Sequence, residues 1–174
     1  MELLEIMQNR RSIRKYTKER ISDDSLEKVL QAGLLSASSR ARRPWELIVV
    51  RNKETLKKMA DCRKGSAKML EGADTAVAVV ADETASDVWI EDCSIVMSNM
   101  HLMAESLGLG SCWIQGRLRE AQTGQSTEEY LREILGYPDN YRLEAILSIG
   151  MPAEHPKRTE LSELLTGKIH YEKF

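Results

Sequence analysis

Hydrophobic and polar residues follow two different periods along the chain, and together they predict an α+β protein. Four short apolar runs, bounded by polar residues, glycine or proline, are typical of buried strands. They are Glu46 to Val50, Thr75 to Ala81, Ser111 to Gln115 and Leu143 to Ile149. Elsewhere, apolar residues recur at the three-to-four-residue spacing of amphipathic helices. The predicted helices are Glu2 to Asn9, a segment after Ser22 that ends near Leu34, Lys53 to Ala60, Asp87 to Leu107 and Ser126 to Gly136, with a helical turn at Leu161 to Leu165.

Capping residues support two of these helices. Ser22 is a favourable N-cap, and Asp23 and Asp24 behind it interact well with the positive end of the helix dipole. Ser126 and Glu129 have the spacing of a capping box. These two helix starts are therefore the best-defined boundaries in the sequence.

The helix predicted from Asp87 to Leu107 is longer and more apolar than the others, and Gly108 is a plausible C-cap. Its second half, Ile95 to Leu107, is apolar on more than one face. A helix of this kind is usually buried on several sides. Because the chain is short, we expect a partner subunit to help bury it.

Length and charge narrow the possible classes of protein. The 174 residues fit one domain, residues 1–174, and the net charge of -2 gives no electrostatic reason to expect nucleic-acid or membrane-surface binding. No segment is apolar for long enough to span a bilayer, and the N-terminus lacks the pattern of a signal peptide. We therefore expect a cytoplasmic protein.

The three cysteines, Cys62, Cys93 and Cys112, have unrelated spacings and include no Cys-x-x-Cys pair. This pattern favours neither a zinc site nor a disulfide framework. Thiols that are buried or idle in a reducing compartment are the simpler interpretation. Cys112 is expected to be a small packed residue rather than a nucleophile.

Two basic clusters stand out. In the first, Arg10, Arg11, Ser12 and Arg14 follow the first predicted helix, and guanidinium groups match phosphate geometry. The composition of this cluster alone favours a solvated basic patch over a phosphate site. The second cluster runs from Ser38 to Trp45 and contains three arginines before the first strand. It could bind a ligand, remain an exposed loop, or form an arginine-rich nucleic-acid patch, although the balanced total charge argues against the last.

Three further segments carry candidate chemistry. Lys64 and Lys68 precede the second strand. Glycines lie at both ends of the strand within Gly108 to Gly116, which suggests tight turns and a backbone exposed to something flat. Lys157 and Arg158 lie in a loop after the last strand, where they are a second candidate phosphate contact.

The order and spacing of these clusters resemble the FMN-dependent nitroreductase family over nearly the whole chain. Four motifs carry the resemblance: Arg-x-Ser-x-Arg near the N-terminus, Ser-Ser…Pro-Trp before the first strand, Leu-Gly-Leu-Gly-Ser-Cys-Trp-Ile after the long helix, and Gly-x-Pro-x-Glu-x-Pro near the C-terminus. The resemblance implies a central mixed or antiparallel sheet flanked by helices, in an intertwined homodimer with FMN sites at the subunit interface. It also implies an NAD(P)H:acceptor oxidoreductase in which FMN transfers hydride from NADH or NADPH to a small oxidant, such as a nitroaromatic or a quinone, without a catalytic side chain.

The same resemblance implies a set of cofactor-binding residues. Arginines of the first cluster and the Lys157–Arg158 pair would bind the phosphate, and Lys68 with Arg14 would stabilise negative charge on the flavin pyrimidine. The second cluster would reach the flavin bound mainly by the other subunit, and the strand after the long helix would lie against the isoalloxazine. The full set is Arg10, Arg11, Ser12, Arg14, Ser38, Ser39, Arg40, Lys68, Trp113, Ile114, Gln115, Gly116, Lys157 and Arg158.

Several positions depart from the family pattern. Ala37 replaces a usual proline, Ala41 and Arg43 replace frequent Asn and Gln residues, and Gly65 replaces a frequent polar residue. The helical insertion that shapes the substrate pocket in larger members is missing. The physiological oxidant therefore stays open at this point.

Other functions remain open as well. The chain could be a flavin-fragmenting or dehalogenating relative, a non-catalytic flavin-binding protein, or a nucleic-acid protein built around Arg40, Arg42 and Arg43. Two histidines are candidate acids, but we expect His101 to pack or hydrogen-bond within the long helix. We expect His155 to lie in a solvated loop.

Overall fold

Four β-strands form one antiparallel sheet in the computed structural model, which describes residues 2–174. Their order across the sheet is β1-β2-β4-β3, and each neighbouring pair is antiparallel. All four predicted strands are confirmed, with ends one or two residues longer than the apolar runs. The sheet is antiparallel rather than mixed. The strands are β1 (Trp45–Val50), β2 (Thr75–Asp82), β3 (Gly110–Gln115) and β4 (Tyr141–Gly150).

The described part of the chain contains five α-helices, and four of them, α2 to α5, cover the two faces of this sheet. Helices α2 and α4 share one apolar core with one face of the sheet, and α3 and α5 share a second core with the other face. Because β2 and β4 lie in the middle, nearly all of their side chains are buried on both faces, which explains why they read as continuous apolar runs. The helices are α1 (Leu3–Asn9), α2 (Asp23–Leu34), α3 (Lys53–Met59), α4 (Trp89–Ser106) and α5 (Thr127–Leu135).

The predicted capping residues act as expected. The Ser22 side chain accepts a hydrogen bond from the Ser25 backbone N–H, and Ser126 and Glu129 form a reciprocal capping box. Gly108 follows α4 with a φ of +72°, a left-handed conformation that favours glycine. The predicted C-terminal turn is confirmed as a short 3₁₀ turn, Leu161–Glu163.

The long helix α4 is buried on several sides, largely by its own chain. It packs against the sheet and against α2, where Gly33 brings the two helices close together. A Cβ at Gly33 would lie 2.9 Å from Met100 Cγ, so no larger residue fits without movement. The burial predicted for α4 is therefore confirmed, and α2 provides part of the cover that we had assigned to a partner subunit.

Two apolar surfaces remain exposed on the described chain. One lies on α1 and the end of α2, where Leu3 is 61% exposed and Leu35 is 85% exposed. The other is the C-terminal tail, where Ile169 and Tyr171 project into solvent. Within residues 2–174, no helix combines the length and apolar character needed to cross a membrane.

The three cysteines are free and buried, as predicted. Burial raises the pKa of Cys62 to about 12 and also raises the pKa values of Cys93 and Cys112. These thiols are therefore protonated at neutral pH, and a thiolate is the form that attacks electrophiles.

Candidate functional site

The segment Arg10–Arg14, called here the arginine segment, extends the edge of the sheet beside β3. Ser12 forms a parallel bridge with Ser111, and the Ile13 backbone N–H donates to the Ser111 carbonyl at 2.9 Å. The Tyr16 hydroxyl donates to the Ile13 carbonyl at 2.8 Å and hydrogen-bonds to Ser148 Oγ at 2.7 Å. Backbone pairing with β3 therefore fixes the direction of the segment and the side on which each arginine leaves it.

Two glycines make room for this segment. Gly110 and Gly150 face each other across β3 and β4. A Cβ at Gly110 would lie 2.8 Å from Ile13 Cγ2, and a Cβ at Gly150 would lie 2.9 Å from Tyr16 Cδ1. The glycines at this end of the sheet therefore admit side chains of the same chain, which corrects our expectation that Gly110 exposes its backbone to a flat ligand.

The three arginines of the segment have different surroundings. Arg10 Nη1 lies 2.9 Å from His101 Nε2, and Arg11 donates to the Lys157 carbonyl at 2.8 Å and to Thr159 Oγ1 at 2.6 Å. The Arg14 side chain is exposed and contacts the Ser12 carbonyl at 3.2 Å.

Arg14 lines a hollow of about 430 Å³ together with Lys15, Gly65, Ser66, Lys68 and Met69. The structure thus brings together Arg14 and Lys68, the two cations that the resemblance assigns to the flavin pyrimidine. Lys68 is exposed and pairs with Asp61 at 3.0 Å and Glu71 at 3.2 Å, and both hydrogen bonds raise its pKa. Gly65 has a φ of +73°, which gives a physical reason for glycine at this departure from the family pattern.

Beyond the arginine segment, the outer edge of β3 presents peptide groups without a backbone partner among the described residues. Hydrogen bonding alternates between the two sides of an antiparallel strand. Because the Ser111 carbonyl points to Ile13, the peptide groups of Trp113 and Gln115 point outward as well, away from β4. Ile114 points its side chain into the core below α3 and α5 and does not face this edge.

The backbone N–H of Gly116 points toward β4 and not toward the outer edge of β3. This N–H donates to the Glu144 carbonyl at 3.1 Å, and a Cβ at Gly116 would lie 2.5 Å from Leu143 Cδ2. The register between β2 and β4 shifts at this point, so Glu144 has no direct partner across β2. Burial raises the pKa of the Glu144 carboxyl, whose Oε2 has no hydrogen-bond partner among the described residues.

The second basic cluster, Ser38–Arg43, lies at the opposite edge of the sheet because it leads into β1. Sheet order separates β1 from β3 by three strand spacings, about 14 Å. Asp92, buried in the first turn of α4, accepts a hydrogen bond from the Ser39 N–H at 2.8 Å and another from Ser86 Oγ at 3.0 Å. Ser38 Oγ accepts from the Arg43 N–H at 2.9 Å.

This loop has an unusual backbone. Arg40, Ala41 and Arg43 have φ values of +52°, +54° and +47°, which non-glycine residues rarely adopt. Each such residue stores on the order of 1 kcal/mol of strain. Strain of this kind concentrates at functional sites that the surrounding structure holds in place. The side chain of Arg40 is exposed and so is that of Arg42, whose Nη1 donates to the Ala85 carbonyl at 2.7 Å.

The C-terminal pair Lys157–Arg158 lies beside the arginine segment, since Arg11 holds the Lys157 carbonyl. Both side chains are exposed, and each faces an acidic residue of the tail. Lys157 Nζ is 3.7 Å from Glu163, and Arg158 Nε is 3.0 Å from Glu160. The fourteen predicted residues thus form two groups, one near each edge of the sheet.

Three polar residues near these groups were not predicted as site residues: Asp92, His101 and Glu144. The His101 side chain is packed in the interior, one of the two alternatives that we expected, but its ring hydrogen-bonds to Arg10 and Ser111 on other elements rather than within the helix. The available signal was that Asp92 and His101 interrupt an otherwise apolar helix. His155 lies exposed in its loop, as expected.

Comparison with known proteins gives one consistent family. The model of the Nitroreductase family matches residues 7–65 and 61–151. A candidate NADH dehydrogenase/NAD(P)H nitroreductase from Archaeoglobus fulgidus is 37% identical over 99% of both chains. A solved FMN-dependent nitroreductase from Clostridium difficile R20291 is 42% identical, with a TM-score of 0.95 over 98% of this chain and 99% of its own.

A second solved structure, of a candidate NADH dehydrogenase/NAD(P)H nitroreductase from Parabacteroides distasonis, is 31% identical, with a TM-score of 0.90 over 99% of this chain and 98% of its own. These findings confirm the resemblance inferred from the four sequence motifs. The chain belongs to the nitroreductase family.

Proposed function

We propose that this protein binds FMN and is an NAD(P)H:acceptor oxidoreductase that acts as a homodimer. The observation that carries the proposal is the arginine segment, which is paired to β3 and brings Arg14 to the hollow that Lys68 also lines. The proposal is supported by family membership and by the FMN dependence stated for the relative from Clostridium difficile.

The donor set of this region fits FMN. The hollow, at about 430 Å³, has the size of a small-molecule site, and its cations are Arg14, Lys15 and Lys68. The outward N–H groups of Trp113 and Gln115 can donate to a flat heterocycle that lies along the edge. The other guanidinium groups of the arginine segment match the geometry of a phosphate.

In this proposal, Arg10, Ser12, Lys157 and Arg158 bind the phosphate, with Arg11 holding the loop that carries the last two. Arg14 and Lys68 stabilise negative charge at the pyrimidine, where preorganised cations act without rearranging. The Asp61 and Glu71 carboxylates offset part of the Lys68 charge, so Arg14 contributes more.

When bound, FMN supplies the redox chemistry, a ping-pong exchange of hydride at N5 between NAD(P)H and a nitroaromatic, quinone or related small oxidant. The residues of this chain orient the donor and the acceptor, and the peptide edge of β3 fixes the plane in which they stack. No nucleophilic side chain is required, which agrees with the protonated buried thiols.

The homodimer follows from the separation of the two basic clusters. One chain places Ser38, Ser39 and Arg40 at the β1 edge and the arginine segment at the β3 edge. A second copy of the chain can bring its own Ser38–Arg43 loop to the β3 edge. The same association would cover exposed apolar residues of α1, the end of α2 and the tail, such as Leu3, Leu35 and Ile169.

Colour provides the first test. The purified protein is expected to be yellow with FMN bound, and anaerobic NADH or NADPH is expected to bleach the flavin absorbance. A protein that takes up no FMN would remove the whole proposal. A yellow protein that neither nicotinamide reduces would retain flavin binding and remove the oxidoreductase activity.

Complementation tests the shared site. Arg10→Ala damages one half of each site and Asp92→Ala damages the other half, so each variant alone is expected to bind FMN weakly. In a mixed dimer, one site carries both lesions and the other carries neither. Unfolding and refolding the two variants together is therefore expected to restore part of the FMN binding. No recovery in a mixture that sedimentation shows to contain mixed dimers would place both halves in one chain.

A further inference from the structure

The ring of His101 connects the arginine segment to β3 through hydrogen bonds to a side chain of each. It lies on α4, is 6% exposed, and contacts Arg10 Nη1 at 2.9 Å and Ser111 Oγ at 2.5 Å. Ser111 is also the residue whose carbonyl accepts the Ile13 N–H. The side chain of Arg10 and the backbone of its segment are thus tied to the same position on β3.

These contacts determine the protonation state of the ring. An arginine side chain only donates hydrogen bonds, so His101 Nε2 must accept from Arg10 and cannot carry a proton. The single proton of the neutral ring is then on Nδ1, which donates to Ser111 Oγ. Burial, and next the Arg10 charge, lower the pKa of His101 to about 4, which agrees with a neutral ring at physiological pH.

The charged groups near the ring decide how Arg10 is held. The other charged groups nearby are Arg11 on the same segment and Glu105 one turn along α4. Glu105 is partly buried, and burial raises the pKa of its carboxyl. The Arg10 charge acts against burial and favours a lower pKa for Glu105, so this carboxyl is near Arg10. No hydrogen bond between a carboxylate and the ring is found in the described structure, so the acceptor that holds Arg10 is neutral.

We propose that His101 is a positioning residue, which uses its neutral Nε2 as the acceptor that aims the Arg10 guanidinium at the phosphate of the bound cofactor. The inference rests on the proposed FMN function and adds a residue to it. A carboxylate at this place would also hold Arg10, but it would cancel the charge that the phosphate needs. A neutral acceptor holds the guanidinium without neutralising it.

The test separates the phosphate from the ring system of the ligand. Dissociation constants of FMN and of riboflavin, which lacks the phosphate, are measured for wild type, His101→Leu and His101→Gln by flavin fluorescence. His101→Leu is expected to weaken FMN binding about tenfold or more, and to leave riboflavin binding within about twofold. His101→Gln keeps an acceptor toward Arg10 and a donor toward Ser111, and it is expected to stay within about threefold of wild type for both ligands.

Two outcomes would overturn the role of His101 while leaving the proposed function in place. One is an equal loss of FMN and riboflavin affinity in His101→Leu, which would indicate a packing role. The other is a glutamine variant that binds FMN no better than the leucine variant. A wild-type protein that binds neither flavin would instead overturn the proposed function and this inference with it.

A second measurement does not depend on a folded variant. Nitrogen-15 NMR of the wild-type imidazole at neutral pH distinguishes the two neutral tautomers. We expect the Nδ1–H form for His101, with Nε2 unprotonated. An Nε2–H tautomer or a doubly protonated ring would exclude acceptance from Arg10 and overturn the proposal.

Discussion

The arginine segment and the Ser38–Arg43 loop have almost the same composition, yet the chain holds them in opposite ways. The segment is extended and pairs with β3 through the Ser12–Ser111 bridge. The loop at the other edge of the sheet has three positive φ values and is held by the buried Asp92 carboxylate. A neutral histidine supports the first region, and a buried acidic residue supports the second.

The difference is what the proposed homodimer requires, because each chain would contribute one region to its own site and the other to the partner's site. The arginine segment is completed within its own chain, where His101 leaves the Arg10 charge available. The loop stores backbone strain and lies at the β1 edge, away from its own β3, as the proposed contribution to a partner's site requires. Each of the following predictions tests one side of this contrast, from the largest expected effect to the smallest.

The largest expected effect is a loss of folding stability in acid, caused by His101, which holds the arginine segment. The pKa of His101 is about 4 in the folded protein, below its ordinary value of 6.5. As the pH falls between these values, the unfolded chain binds a proton that the folded chain does not, so stability is lost by up to about 3 kcal/mol. Urea unfolding near pH 7 and near pH 4 measures this loss.

The matched comparison is His101→Gln, which cannot titrate and is expected to lose less stability than wild type over the same pH range. His155→Gln changes an exposed ring and serves as the control. Equal acid sensitivity of wild type and His101→Gln would contradict the buried, neutral state of His101.

Removing the carboxylate that holds the loop is the next largest change. Asp92→Ala leaves the Ser39 N–H and Ser86 Oγ without their buried acceptor. The free energy of unfolding is expected to fall by about 2 kcal/mol, and FMN binding is expected to weaken. Asp87→Ala, an exposed acidic residue just before the same helix, is the control for urea unfolding. Similar losses in both variants would mean that the bond to Ser39 does not hold the loop.

Charge beside the hollow is expected to matter more at Arg14 than at Lys68. Arg14→Ala is expected to weaken FMN binding about tenfold and to lower the flavin reduction potential, because a cation near the pyrimidine stabilises the reduced form. Lys68→Ala is expected to have a smaller effect, since Asp61 and Glu71 already offset its charge.

Potentiometric titration with Lys57→Ala as the control tests this ranking, since Lys57 lies on the exposed side of α3. Equal effects of all three substitutions would remove the electrostatic assignment. A larger effect at Lys68 would mean that the two carboxylates release this lysine when FMN binds.

The smallest effects come from backbone strain in the loop. Arg43→Gly relieves a φ of +47° and is expected to be neutral or to stabilise the fold by up to about 1 kcal/mol. Arg42→Gly, at a φ of -71°, relieves nothing and removes the bond to the Ala85 carbonyl, so it is expected to destabilise by about 1 kcal/mol. Thermal unfolding of the two variants gives the comparison, and a destabilised Arg43→Gly would argue against stored strain.

The sequence predicted most of the scaffold because local patterns determine it. Runs such as Thr75 to Ala81 indicate strands buried on both faces, and pairs such as Ser126 and Glu129 indicate helix starts. The antiparallel sheet and its strand order depend on long-range pairing, which no local pattern carries.

The sequence predicted the clusters of the candidate site but not the contacts that hold them in place. Arg10 and Ser39 belong to recognisable motifs, but their supports lie far along the chain, at His101 and Asp92. Such contacts depend on the rotation of α4 over the sheet, which sequence periodicity does not fix to a single side chain. Ile13 is also far from Gly110 along the chain, and sequence periodicity did not show that its side chain fills the space above this glycine. We therefore expected the Gly110 backbone to face a ligand.

The facing glycines Gly110 and Gly150 also set an order of assembly. The arginine segment is synthesised before the surface that receives it, which is complete only after β4 and Pro152 have been made. Closing so long a loop is slow compared with forming local structure. The residues proposed above to bind the phosphate are therefore placed only after β4 has been made, and a ribosome-bound chain that ends before β4 lacks the surface that holds them.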